Sequence, residues 1–498
     1  MENLYELAHI TKRNRRVLDS LVPSDDNSPL KKLYLIAFSN VVLNDNECMI
    51  EIYGKRKLVA FSRLKSRLKD IFYQGVFIQN LYEENGESKS SDVNSTHKQT
   101  VIARILRENN ANKLAIDLLE KSILKTIKFH VTENVISQAR ILSLHYSSVD
   151  YNKYKFSKYL SIQEKYLRIY EWEIKAENYF LELQRTTIQS LGNPSDETKK
   201  KAHNFVKILS EIKDIKSHNF LYNKFRVMAA YYEYEKDYTS LLTLSENTLK
   251  EFNTVDLKSS IPRTNISLRR MWALIQAGRI DETVTIGLKE LNKTAPGSVT
   301  WYRIAHYTLK GQMFLGDYKR AIDLISLMIN HPKFSKLSEN YKEVFYTALG
   351  YLHLVVDSGI AGDTKDLHKK LPEFKLGKFL NTTPVFSKDK RGINVSILLM
   401  HIAFLLQRKD YNAIIDRIDS LNQYAYRYLR KDDSYRSNCM IKMVIQMTKA
   451  DFNPIRTERY TTELKKQFEI VPLAGSGENI EIEMIPFETL WNIMIRAL

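Results

Sequence analysis

A short turn phrase recurs through the second half of the chain: Lys236-Asp237-Tyr238, Gly278-Arg279-Ile280, Gly316-Asp317-Tyr318 and Lys409-Asp410-Tyr411. Each copy lies between two runs whose apolar residues keep helical spacing. A repeated turn between amphipathic runs is the signature of consecutive helical hairpins, and such repetition constrains a fold more than any isolated motif. The copies are 42, 38 and 93 residues apart, and the last interval holds two units, one of them formed by 338–357. The expected class is all-α: a helical N-terminal module followed by an α-solenoid of hairpins, closed by a C-terminal helix.

Residue usage agrees. Only 16 Gly and 11 Pro occur in 498 residues, and scarcity of the two strongest chain punctuators favours long helices and few irregular segments. An apolar share of 44% suffices for a sizeable core. The length exceeds one compact core. The boundaries expected are a helical module over 1–82, a flexible linker over 83–97, a long-helix region over 98–216 and hairpin repeats over 217–471. A loop and terminal helix follow over 472–498. In the module, Cys48 to Tyr53 is read as either a short strand or a helical end. Residues 151–191 contain no Gly or Pro and read either as a single long helix or as a helix broken near Tyr170–Glu173, and 358–392 is the longest irregular stretch of the repeats.

The segment Trp301…Gly316-Asp317-Tyr318-Lys319-Arg320-Ala321-Ile322…Pro332 resembles the tetratricopeptide repeat. In that family a Gly-Asp-Tyr turn opens the second helix, Ala follows four residues after the Asp, and Pro closes the unit. The resemblance spans about 220–450. Six residues before the turn position, where the family places a small residue, stand Ala273 and Gly311 in two copies, and Tyr231 and Phe404 in the others. The resemblance implies stacked hairpins with an extended concave surface that holds a peptide or a partner's helix.

The formal net charge is +17, a field that attracts nucleic acid, anionic lipid or acidic proteins, and one that a compositional bias toward Lys also produces. The basic run Lys55, Arg56, Lys57, Arg63, Lys65, Arg67 and Lys69 holds no acidic residue over 54–69. It accompanies an apolar stripe of Phe61, Leu64, Leu68, Ile71 and Phe72. Like charges four apart on a helix repel by a few tenths of a kcal/mol unless an anion lies between them, so this run is the candidate anion or nucleic-acid contact. A second candidate, for partner binding, is Tyr424, Tyr426, Arg427, Tyr428, Arg430 and Lys431, where aromatics alternate with cations. Other aromatics, such as Tyr166, Tyr170, Trp172, Tyr179, Phe180, Tyr231, Tyr232, Tyr234 and Tyr238, read chiefly as seams between hairpins.

No Gly-rich phosphate loop, GxSxG or HExxH is present, so no catalytic residue or cofactor is expected. Arg140 and His145 have the Arg-x4-His spacing that resembles HEPN-type ribonucleases, a spacing that chance also supplies in a chain with this many Arg. Cys48 and Cys439 lie in no metal-binding spacing. The N-terminal residues, with Glu2, Glu6 and Lys12 to Arg16, do not read as a secretory signal, and no apolar stretch approaches a membrane span. The expectation is a bacterial, cytoplasmic, non-enzymatic scaffold or adaptor that binds a protein or peptide. The alternatives are a nucleic-acid-binding subunit acting through 54–69 and a peptide-sensing regulator.

Overall fold

The structure is a computed structural model that describes residues 1–12, 15–39, 43–78, 89–189, 194–254, 260–362, 364–382, 393–418, 435–472 and 482–498. Among the described residues the chain is all-helical, without a strand. No helix among them is long and apolar enough to cross a membrane. The chain divides into two compact units, Met1–Lys98 and Gln99–Leu498.

The first unit contains α1 (Glu2–Thr11), α2 (Arg15–Leu21), α3 (Pro29–Phe38), α4 (Asp45–Tyr53) and α5 (Leu58–Ile78). Its core is built from Leu4, Leu18, Leu33, Tyr34, Met49, Phe61, Leu68 and Phe72. The segment Cys48 to Tyr53 is helical. Asn44 and Glu47 form a reciprocal capping box, with Asn44 Oδ1 accepting from the backbone N–H groups of Asn46 and Glu47 at 2.9 and 3.0 Å. Gly54, in the left-handed region at φ 68°, ends the same helix. Both ends of the helix are thus fixed locally, which outweighs the β-compatible alternation inside it.

The helix α6 (Lys89–Glu108) runs across the division in sequence. The flexible linker expected over 83–97 is therefore helical from Lys89 onward. Val93, Thr96 and Thr100 share one side of α6 at helical spacing, and the two threonines are buried. Residues 83–88 lie outside the described residues.

The second unit continues with α7 (Asn112–Lys128), α8 (Thr132–Leu144), a π-helical turn (His145–Val149), α9 (Lys153–Gln189), α10 (Asp196–Glu211), α11 (His218–Tyr234) and α12 (Tyr238–Thr254). Next come α13 (Ser260–Gln276), α14 (Ile280–Leu291), α15 (Val299–Phe314), α16 (Tyr318–Ile329) and α17 (Glu339–Asp357). The series ends with α18 (Thr364–Lys370), α19 (Leu376–Thr382), α20 (Ile393–Gln407), a helical stretch over 411–418, α21 (Tyr435–Lys449), α22 (Pro454–Ile470) and α23 (Phe487–Ala497). The long helix expected over 151–191 is present as α9, unbroken for 37 residues. Within the stretch expected to be irregular, 358–392, the described residues carry the short helices α18 and α19, and 383–392 lie outside the described residues. Leu367, Leu371, Leu376 and Phe379 are buried there, so two short amphipathic helices close over the core. From α7 to α16 most helices pack on their neighbours in sequence.

The turn phrase is a helix-ending and helix-starting device in three residues. Its first residue sits in the left-handed region: Lys236 at φ 55°, Gly278 at 72°, Gly316 at 71°, Lys409 at 58°. The N–H of that residue donates to the carbonyl three back, and the next N–H to the carbonyl five back, as in Asp237 to Tyr232 at 2.9 Å and Asp317 to Gln312 at 2.9 Å. This pair of bonds satisfies carbonyls that a helix end leaves open. The Asp then caps the following helix. Asp237, Asp317 and Asp410 each accept from the backbone N–H three residues on, at 2.9, 3.4 and 3.2 Å. The third residue turns inward, and Tyr238 and Tyr318 are both 6% exposed. The same bond pair also occurs at Asn110 and His130, between α6 and α7 and between α7 and α8.

Candidate partner-binding face

The helices that precede the turn phrases, with α9 before them and α17 between, touch one another directly. Thr187 of α9 meets Tyr234 of α11 at 2.5 Å between hydroxyls. Glu233 of α11 accepts from Arg269 of α13 at 2.5 Å. Tyr302 and His306 of α15 lie against Phe345 of α17, and Tyr351 of α17 donates to the Ser396 carbonyl of α20 at 2.8 Å. These leading helices form a continuous row, α9–α11–α13–α15–α17–α20.

One end of the row carries a ladder of polar and aromatic side chains. The Arg226 guanidinium lies 3.4 Å from the Phe180 ring centre and 5.3 Å from that of Tyr222. Asn265 Nδ2 donates to the Tyr222 hydroxyl at 2.6 Å, and Arg303 Nη1 donates to Asn265 Oδ1 at 2.9 Å. Four helices, α9, α11, α13 and α15, are thereby joined through Phe180, Arg226, Tyr222, Asn265 and Arg303. Burial lowers the pKa of Arg226. A guanidinium half-withdrawn from water and stacked on two rings is fixed in direction and binds an anion with less ordering cost than a mobile surface cation. Beside the ladder, burial raises the pKa of Glu233, against the pull of Arg269.

The other end of the row is covered by the chain itself. Residues 482–486 form a turn and a bend leading into α23, and Ile482, Glu483, Met484 and Ile485, with Phe487 at the start of α23, are buried. Lys310 of α15 donates to the Glu483 carbonyl and lies 3.6 Å from Met484 Sδ. Ser396 of α20 donates to the Ile482 carbonyl. Arg436 of α21 holds Glu483 through two bonds, at 2.8 and 3.1 Å, and reaches both oxygens of Glu488 at 3.0 Å. Burial pushes His306, on the same side of α15 as Lys310, down to about 3, and the Lys310 charge adds to that.

Most residues singled out from the sequence lie elsewhere. In the basic run, Gly54 ends α4, Lys55 to Lys57 form an exposed connection, and only the part from Leu58 onward is helix. Phe61, Leu68, Ile71 and Phe72 are buried as expected. Lys65 is tied inward, 2.5 Å from Asp45 Oδ2 and 5.3 Å from the Phe61 ring, and Lys57 lies over Tyr53. Lys69 is half-buried, while Arg63 and Arg67 face solvent. The group Tyr424, Tyr426, Arg427, Tyr428, Arg430 and Lys431 lies outside the described residues. Arg140 is exposed on α8, and His145 opens the π-helical turn with Nε2 4.0 Å from Asp150. The expected seam aromatics pack largely as seams: Tyr179 stacks on Phe205 at 4.1 Å and Tyr238 meets Trp272 edge-on. Phe180 is the exception, serving the ladder.

Among the described residues no cluster of three His, Cys, Asp or Glu side chains is placed to hold a metal ion. Comparison with family models, with curated proteins and with solved structures returned no match.

Proposed function

We propose that the second unit is a tetratricopeptide-like α-solenoid and acts as a non-enzymatic scaffold, holding a protein partner along its row of leading helices. The observation that carries this reading is the ladder from Phe180 to Arg303. Side chains from four successive leading helices meet on one face, with guanidinium and aromatic groups that suit partner contacts. The recurring left-handed turns support it, since a constant junction between helix pairs is what stacking requires. The test is affinity capture from the native cell with wild type and with Tyr222→Ala/Arg226→Ala/Arg303→Ala. Reproducible partners that the triple variant loses, with its helical signal retained, are expected. Equal capture by both proteins ends the reading.

A second reading, nucleic-acid binding by the first unit, is favoured by the exposure of Lys55, Arg56, Arg63 and Arg67 along one stretch. It requires an affinity that drops steeply as salt rises. An electrophoretic shift at two salt concentrations, with Arg63→Glu/Arg67→Glu as control, decides it.

A further inference from the structure

We propose that the cleft bounded by α15, α20 and α21 is a peptide-binding site, that residues 482–498 are its resident ligand, and that the same segment of a second copy of this chain can replace it.

The first ground is how the segment is held. A terminal helix that merely caps a core is held by apolar contact. Here the cleft also reads backbone: Ser396 and Lys310 take the carbonyls of two consecutive residues, Ile482 and Glu483. Hydrogen bonds to a segment's main chain give peptide recognition its affinity, while pockets for its side chains give specificity. The carbonyls of Ala497 and Leu498, at the far end, accept from Lys409 at 2.5 and 2.9 Å.

The second ground is the chemistry demanded of any occupant. Lys310 and Arg436 are each 1% exposed. Arg436 also donates to the Val471 carbonyl at 2.7 Å, but a buried cation that loses a hydrogen-bonded carboxylate or carbonyl is destabilised, because its charge stays desolvated with less to compensate it. The cleft therefore rejects a purely apolar segment. It takes one with a carboxylate flanked by apolar residues, which folds back so that its own backbone N–H also serves that carboxylate, as Phe487 serves Glu483 at 2.8 Å. The pattern is Ile482-Glu483-Met484-Ile485-Pro486-Phe487-Glu488. Glu483 and Glu488 share one guanidinium, so both acids belong to the specificity.

The third ground selects the source. An emptied cleft is costly, so departure of one segment is favourable only when an equally matched one arrives. A second copy of the chain carries that match in full, and exchange of an identical element between copies is a low-cost route to association.

The test uses the full chain with a protease site replacing Gly475-Ser476-Gly477. After cleavage, a labelled synthetic peptide covering residues 482–498 is expected to displace the resident fragment and saturate the cleft. A peptide with Glu483→Gln should bind more weakly by about a hundredfold or more. On an Arg436→Met chain that preference should shrink to within a few-fold. Should that variant fail to fold, the two peptides on the wild-type chain decide alone. Release of the resident fragment without entry of the peptide overturns the site, and so does equal entry of the Gln peptide. In parallel, uncut donor- and acceptor-labelled copies are mixed at high concentration. Energy transfer that grows with time and is suppressed by excess free peptide supports the second copy as source, and its absence overturns that part.

Discussion

Arg436 and Glu483 face each other in a dry interior, each 1% exposed, with Nη2 and Nε 2.8 and 3.1 Å from the two carboxylate oxygens. Burial alone pulls the guanidinium downward, yet the hydrogen bonds and charges of Glu483 and Glu488 outweigh it and hold the group above its ordinary value. The two residues are 47 positions apart and belong to different elements, so their pairing fixes where the C-terminal segment lies. Removing one partner leaves the other charged and desolvated. Arg436→Met and Glu483→Met are each expected to cost about 3–5 kcal/mol in urea unfolding at neutral pH. The double variant Arg436→Met/Glu483→Met should recover much of that loss, since a buried pair and a well-packed apolar pair are of similar worth. Additive losses in the cycle would show that the two groups act independently.

The hairpin junctions make a prediction of the opposite sign. Lys236 occupies the left-handed position that Gly278 and Gly316 fill elsewhere, and a Cβ there costs about 1 kcal/mol. Lys236→Gly should stabilise the chain by up to about 1 kcal/mol, and Gly316→Ala should destabilise it by a similar amount. Midpoints of chemical denaturation at unchanged slope would report both.

A third prediction concerns the contact of α14 with α15. A Cβ built on Gly287 collides with Thr308 Oγ1 and stands 2.9 Å from Met271 Cε. Thr308 is fully buried and its hydroxyl is bonded to the Ile304 carbonyl, so the neighbour has little room to give. Gly287→Ala should cost about 1–3 kcal/mol by overpacking. Shortening Thr308 to Ala in the same chain should relieve part of the loss, and thermal unfolding of the four proteins of the cycle measures it.

The all-helical class was legible because its signals are local. Asp237, Asp317 and Asp410 cap, Tyr238 and Tyr318 turn inward, and Gly278 and Gly316 reverse the chain, all within three residues of one another. The junctions at Asn110 and His130 carry no such signal, since neither residue is Gly and neither is followed by Asp. Part of the ladder was also within reach: Asn265 and Arg303 each stand 14 residues before their turn residue, Arg279 and Asp317. That common register places them on one face. Nothing local says that Arg226 stacks on Phe180, or that Lys310 meets a carbonyl 173 residues away. Such pairings depend on which surfaces the helices bury, and periodicity gives a helix its buried face without naming what lies against it.

The last prediction is a pH dependence set by His218. Its ring is 7% exposed, stacked on His130 with centres 5.2 Å apart and 4.8 Å from Phe252, and its Nε2 is buried without a hydrogen-bond partner. Burial drives the ring down to about 4, and the charges of His130 and Arg263 add to that. An unfolded His takes up its proton near pH 6.5, so between about 6.5 and 4 the unfolded chain binds a proton that the folded chain refuses. The stability from keeping this ring neutral is complete above pH 6.5 and declines as pH falls toward 4, by at most about 1.4 kcal/mol per pH unit. The buried carboxyls Glu173 and Glu483 contribute with the opposite sign, because burial raises their pKa values and protonation relieves them. The informative quantity is therefore the difference between wild type and His218→Phe. The variant should lose stability less steeply than wild type between pH 6.5 and 4.5, while the two run parallel between pH 7 and 8. Parallel curves across the whole range in urea titrations would mean that His218 is protonated as readily in the folded chain as in the unfolded one.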